Sequence, residues 1–192
     1  MSEARSRLLG TAGELFYSDG IHAVGIDRVV AEAKVTRATL YRHFPSKDDL
    51  IVAYLTQADG AIRERVETAR TESAGPEDVI RAVSRFIADD IQRDGFRGCA
   101  FLNAAAEYPD PAFPVHQAVL RHRQWFLDTM TELFTDLGKI DAEPAARHFV
   151  MLRDGAMAAG CLTDPKPVCD TFLRGVEGLL TYRSREPASA SS

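Results

Sequence analysis

Apolar residues in this chain recur three and four apart from one end to the other, and no stretch alternates apolar with polar over the length of a strand. A 3.6-residue period gathers side chains on one face of a helix, whereas a half-buried strand needs a period of two. The chain is therefore predicted to be all-α, with about nine helices. Leu8, Leu9, Ala12, Leu15 and Phe16 make the inner face of the first, closed by Ser18-Asp19-Gly20, where glycine suits a left-handed cap. Ile26, Val29, Val30 and Ala33 give a second, short helix. Thr36 caps a third by accepting a backbone N–H; it buries Leu40 and stops before Pro45, whose ring disfavours helical geometry at Phe44. Ser46 caps a fourth, with Asp48 and Asp49 in the first turn, where the helix dipole favours anions. Its apolar face continues to Ala69, and Ser73-Ala-Gly-Pro76 breaks it.

Five further helices are expected, over about 77–93, 99–107, 114–137, 144–160 and 168–183. Residues 1–46 then form a small trihelical head and 47–184 a larger helical bundle. Residues 185–192 are too poor in apolar side chains to pack and are expected to be disordered.

The formal net charge of −5 argues against an anionic partner until its distribution is followed. Residues 1–50 hold as many basic as acidic side chains, so the excess lies in the remainder. Within 34–47 stand Lys34, Arg37, Arg42 and Lys47 with no acidic residue among them. Affinity for phosphates follows this local field rather than the mean charge.

The third helix and its exit, Thr36-Arg-Ala-Thr-Leu-Tyr-Arg-His-Phe-Pro-Ser-Lys47, combine hydroxyl, guanidinium, phenol and imidazole groups. Those are the donors and acceptors that meet phosphates and base edges. Two short amphipathic helices joined by a tight turn, the second carrying the basic outer face, satisfy a helix-turn-helix. Arg37, Ala38 and Thr39 lie in the N-terminal half of the reading helix, nearest the bases. Arg37 suits guanine, and Ala38 or Thr39 a thymine methyl. Thr36, Tyr41 and Arg42 suit the sugar-phosphate backbone. His43 is open to the same role or to a structural one, and Lys47 is expected to clamp a phosphate at the start of the fourth helix.

Residues 8–55 resemble the DNA-binding domain of the TetR family of bacterial transcriptional regulators. Glu14-Leu-Phe16, Gly20 and above all Thr39-Leu-Tyr-Arg-His-Phe44 with Ser46-Lys47 carry the likeness. A weaker likeness, to one subgroup of that family's ligand-binding domains, runs over Gly98-Cys-Ala-Phe-Leu-Asn-Ala-Ala-Ala-Glu107-Tyr-Pro-Asp-Pro111. The resemblance implies a homodimer on a pseudo-palindromic double-stranded DNA operator, released when a small-molecule effector binds the C-terminal bundle. Two departures matter. Val24-Gly25 replaces a hydroxyl residue, leaving the backbone N–H groups of Gly25 and Ile26 to face phosphate. Lys34 occupies a turn position where the family commonly has glycine; a positive φ there would carry strain, for which a phosphate contact is one compensation.

In the bundle, Phe86, Phe101, Trp125, Phe126, Met130, Met151 and Met157 are candidates to line a mostly apolar effector cavity, although the same pattern also makes an ordinary core. Asn103 and Glu107, four apart on the Ala-rich helix, are candidate polar groups for that ligand; Glu107 equally suits a surface pair. Gly155, Ala156 and Ala159 permit close helix approach, and with Phe172, Val176, Leu179 and Leu180 on the last helix they are expected to build the dimer seam.

Cys99, Cys161 and Cys169 have neither metal nor redox-pair spacing, and their odd number fits a reducing cytosol. A thiol sensor at Cys99 or Cys161 is the alternative to small buried hydrophobes. No metal, cofactor or membrane span is expected, and no enzymatic signature is present. The rival readings are a helical enzyme with dispersed catalytic residues and an architectural DNA-binding protein without effector. The expectation is a ligand-responsive, cytoplasmic, nucleoid-associated transcriptional regulator, most simply a repressor.

Overall fold

The computed structural model describes residues 2–139 and 141–181; the expected tail, 185–192, lies outside them. Among the described residues the chain is all-α, with α1 Glu3–Asp19, α2 Ile26–Glu32, α3 Arg37–His43, α4 Lys47–Glu72, α5 Pro76–Gln92, α6 Ala100–Glu107, α7 Pro114–Asp136, α8 Ala142–Ala159 and α9 Pro165–Thr181. None of these helices is long and apolar enough to cross a membrane.

Helix starts follow local chemistry. Ser2 caps α1 through its side chain, which accepts from Arg5 N–H, so this helix begins before its apolar face does. The last helix also starts early, at Pro165 rather than near Val168. Asp164 Oδ1 accepts from the Lys166 N–H at 3.0 Å, and the N–H groups that Pro165 and Pro167 lack would have no helical partner in the first turn. Two prolines that read as a linker therefore open a helix.

The chain groups into two compact units, residues 1–64 with 97–123 and residues 65–96 with 124–192. Packing thus cuts across the head–bundle boundary expected at 46/47. α6 and the first part of α7 belong with the head, and α4 and α7 each pass through both units.

In the first unit α1, α2 and α3 pack on one another. Their interior holds Leu8, Ala12, Leu15, Phe16, Val24, Val29, Leu40 and Phe44, joined by Leu50 and Ile51 of α4, all buried. Arg28 bridges Asp19 at the end of α1 (2.5 Å) and Glu32 of its own helix (2.8 Å), fixing the entry of α2. His122 is buried against the Phe101 ring (centroids 3.6 Å, 7° between planes) and bonds Asp59 at 2.7 Å. Burial would raise the Asp59 carboxyl, but hydrogen bonds from Arg63 and His122 outweigh it and hold it below its usual value.

In the second unit α9 packs on α5 and on α8. Phe149 lies at its centre, with ring centroids 6.2 Å from Phe126, 6.5 Å from Phe134 and 6.0 Å from Phe172. Gly160 closes α8 where the backbone comes so near α5 that an added Cβ would lie 2.5 Å from Ile91 Cγ2.

Candidate nucleic-acid interface

The turn between α2 and α3 is made by Ala33, Lys34 and Val35, and Lys34 is the one non-glycine residue with positive φ (53°) among the described residues. The positive φ is present, and the strain with it. An L-residue there forgoes about 1–2 kcal/mol against glycine, part of which glycine's freer unfolded chain cancels. Lys34→Gly is accordingly expected to raise stability to urea by about 0.5–1 kcal/mol while weakening DNA binding. A variant that is less stable than the parent would show that the strain is smaller than the unfolded-chain entropy that glycine restores.

Thr36 caps α3 as expected, its Oγ1 accepting from Thr39 N–H at 3.1 Å and bonding Thr39 Oγ1 at 2.9 Å. Both hydroxyls are thereby tied locally. Arg37, Ala38, Tyr41 and Arg42 are exposed on the same helix, with Tyr41 at 47% the most open aromatic of the head. Leu40 and Phe44 turn inward and are fully packed. At the start of α2, Gly25 is the cap and no side chain bonds the helix end, so backbone N–H groups alone face outward.

Arg37 and Lys47 are placed otherwise than the sequence reading had them, and His43 takes the structural one of its two open roles. Arg37 is not an isolated cation. Its Nε donates to Asp27 Oδ1 of α2 at 2.6 Å, and Nη2 closes on the same oxygen. That hydrogen bond, with the charge of Asp27, raises the Arg37 pKa above its already high value. The carboxylate-free stretch of sequence is therefore not carboxylate-free in space.

His43 Nε2 lies 3.3 Å from Ser2 Oγ, which joins the reading helix to the cap of α1. Lys47 is turned inward: its Nζ donates to the Ile21 carbonyl at 2.7 Å and sits 5.9 Å from the Phe16 ring centroid. Burial pushes its pKa down, against the pull of Glu107 and Asp48. The ammonium has further protons for an outside acceptor, but one is committed to the protein.

The turn that Lys47 holds is gripped from α6 as well. Glu107 accepts from the Ile21 N–H at 2.8 Å and from the His22 N–H at 2.5 Å, one carboxylate oxygen to each. His22 Nδ1 stands 3.5 Å from the same carboxylate and its ring 4.8 Å from that of Tyr108. Gly20 opens this turn at φ 94°. That is a glycine conformation outside the left-handed helical cap expected, since its ψ is 149°. At the other end of α6, the Tyr17 hydroxyl accepts from Arg97 N–H at 2.9 Å and donates to the Gly98 carbonyl at 3.0 Å. α6 is thus bonded to the last turn of α1 and its exit at both of its ends. Glu107 appeared in the sequence only as a candidate ligand group or surface pair; its two backbone partners lie more than eighty residues away in the chain.

The candidate effector residues divide between the units. Phe101 and Asn103 fall in the first, where Phe101 is buried beneath His122 and Asn103 donates to the Arg97 carbonyl at 2.9 Å. Phe86, Trp125, Phe126, Met130, Met151 and Met157 fall in the second. There Phe126, Met130 and Met157 are buried, while the Arg65 guanidinium lies 4.2 Å from the Phe86 ring centroid. Met151 is 69% exposed. It borders two concavities on the outer face of α8 and α9, of about 420 and 770 Å³.

Gly155, Ala156, Ala159 and Phe172 line the smaller concavity and Leu179 the larger. Val176 and Leu180, expected in the seam, are buried within the chain's own fold, as most of Phe172 is. The outward positions are instead Met151, Gly155, Thr171 and Gly178.

The chain is similar to known regulators along nearly its whole length. The family model described as bacterial regulatory proteins, tetR family, matches residues 8–54. A TetR-family transcriptional regulator from Streptomyces coelicolor, known from its crystal structure, is 67% identical with a TM-score of 0.91, over 94% of this chain and 95% of that one. The transcriptional activator FasR of Mycolicibacterium smegmatis is 35% identical over 159 residues, 81% of this chain and 68% of the relative. The transcriptional regulator YjdC of Escherichia coli is 24% identical over 181 residues, 93% and 94% of the two chains. With a capped and outward-facing α3 behind the turn at Lys34, these likenesses assign the chain to the TetR family, and it is a DNA-binding transcriptional regulator.

Proposed function

We propose that this regulator is a cytoplasmic, nucleoid-associated homodimer that represses transcription from a pseudo-palindromic operator and leaves it when a small apolar effector binds. Two copies of α3 enter successive major grooves, roughly 34–36 Å apart along one face of the duplex. Arg37 reads a base edge, with Ala38 and Thr39 beside it. Lys34, Thr36, Tyr41, Arg42 and the remaining donors of Lys47 meet the backbone, and His43 steadies the helix through Ser2.

The observation that carries the responsive part of this reading is the grip of α6 on the head. The bonds of Tyr17 and Glu107 fasten α6 to the α1–α2 region at both of its ends. A shift of α6 therefore displaces the turn that precedes α2. Since α4 and α7 run through both units, a change in the second is covalently continuous with the first. We place the effector among Phe126, Met130 and Met157, with Trp125 as a neighbouring reporter. The effector shifts the equilibrium only by its differential affinity for the two states.

The outer face of α8 and α9 supports the dimer. It presents Met151, Gly155, Thr171, Gly178 and Leu179, with glycines that let a second copy approach closely. The protein is expected to sediment as a dimer at micromolar concentration without DNA, and Met151→Glu with Leu179→Glu to yield folded monomers that bind the operator weakly. A monomeric parent would contradict the two-half-site arrangement. The likeness to an activator favours activation as the second reading of sign. Transcription in vitro from an operator-bearing promoter separates the two: repression requires that the purified protein lower the transcript and that effector restore it.

A further inference from the structure

The Asp27–Arg37 pair is a poor device for holding the head together. Its side chains are 71% and 63% exposed, and ion pairs in that setting contribute little to folding. Its position is more telling. It joins the first turn of α2 to the first residue of α3, one helical turn from the exposed Tyr41.

The contact is also one-sided. Asp27 Oδ1 engages Nε and Nη2, the side edge of the planar guanidinium. A guanidinium carries five N–H donors in a fixed fork, so the Nη1/Nη2 end edge keeps two parallel donors. Those two match the O6 and N7 acceptors of guanine. Arginine has many rotamers to lose on binding, and a carboxylate that holds one edge removes much of that loss beforehand.

We propose that Asp27 is a specificity-determining positioning residue, which fixes the Arg37 fork for a guanine edge and denies the same side chain to passing phosphates. The proposal rests on the reading of Arg37 as a base contact. Two opposite effects follow from one substitution. Without Asp27 the side chain of Arg37 is free to swing to phosphates, and a negative charge leaves the DNA face. Non-specific affinity then rises a few-fold and its salt slope steepens by up to about 0.9. Discrimination at the one base position read by Arg37 falls at the same time.

Binding of the full-length protein to a selected operator, to its single-base variants and to unrelated duplex is measured for the parent, Asp27→Ala, Asp27→Asn, Arg37→Ala and the double variant. Arg37→Ala is expected to relax one position by roughly 5- to 100-fold. Asp27→Ala should relax that same position on the order of 5-fold, with Asp27→Asn between it and the parent. The double variant should match Arg37→Ala there, because the two act as one unit. Unfolding of α2 would lower non-specific affinity, so the expected rise distinguishes lost positioning from lost structure. If Arg37→Ala relaxes the position while Asp27→Ala leaves it unchanged or sharper, Asp27 is a competitor and the proposal is overturned. If Arg37→Ala relaxes no position, the base-reading role of Arg37 fails, and the proposal with it.

Discussion

Phe149→Ala is expected to cost about 3–5 kcal/mol of stability, the range for deleting a fully buried phenyl group and leaving a cavity. Phe149 is 0% exposed, and its three aromatic neighbours come from α7 and α9, which have no other reason to collapse into the space. With whole-protein stabilities of about 5–15 kcal/mol, that loss is a large share of the total. At roughly 2–4 °C per kcal/mol for a chain of this size, the melting temperature should fall by about 6–20 °C. Urea denaturation followed by circular dichroism checks it. A loss near 1 kcal/mol would mean that the second unit is centred elsewhere.

The second large effect concerns the grip of α6. Glu107→Ala removes the acceptor of two charge-assisted hydrogen bonds and leaves the Ile21 and His22 N–H groups to other partners. Bonds to a charged group contribute about 1.5–3 kcal/mol each, and part is recovered because His22 is exposed to water. The turn is therefore expected to loosen by about 2–4 kcal/mol, read as amide hydrogen exchange on the order of 100-fold faster at Ile21 and His22. Operator affinity should fall while exchange in the second unit stays unchanged. Glu107→Gln, which keeps one oxygen acceptor, should fall between. Unaltered exchange at both amides would remove Glu107 from the route by which α6 reaches the head.

How far the chain discloses itself depends on the range of each interaction. Capping by Thr36 and burial of Leu40 and Phe44 follow from residues within a turn of one another and were readable, whereas the positive φ of Lys34 was suggested only by the family's turn glycine. The Asp27–Arg37 pair spans two helices and is visible only when α2 and α3 are docked. The inward turn of Lys47 needs the Ile21 carbonyl, twenty-six residues earlier in the chain. Glu107 is harder still, since an acidic residue ending a short helix has many surface explanations until the turn at Ile21 is placed beside it. Periodicity also leaves direction open. Met151 lies on the outer face of α8, and Val176 and Leu180 on the inner face of α9, because a 3.6-residue stripe does not say whether it meets its own chain or a second copy. The two prolines opening α9 mislead for a different reason: proline breaks helices only where an N–H is required.

Binding as a dimer to two half-sites is tested by a footprint of the purified protein on DNA enriched from a randomised duplex pool. An inverted repeat is expected, with two half-sites one helical turn apart protected on one face of the duplex. Arg37→Ala should alter one symmetric pair of positions in that repeat. Enrichment of no repeat, or protection of a single isolated site by a protein that remains dimeric, would contradict two-half-site binding.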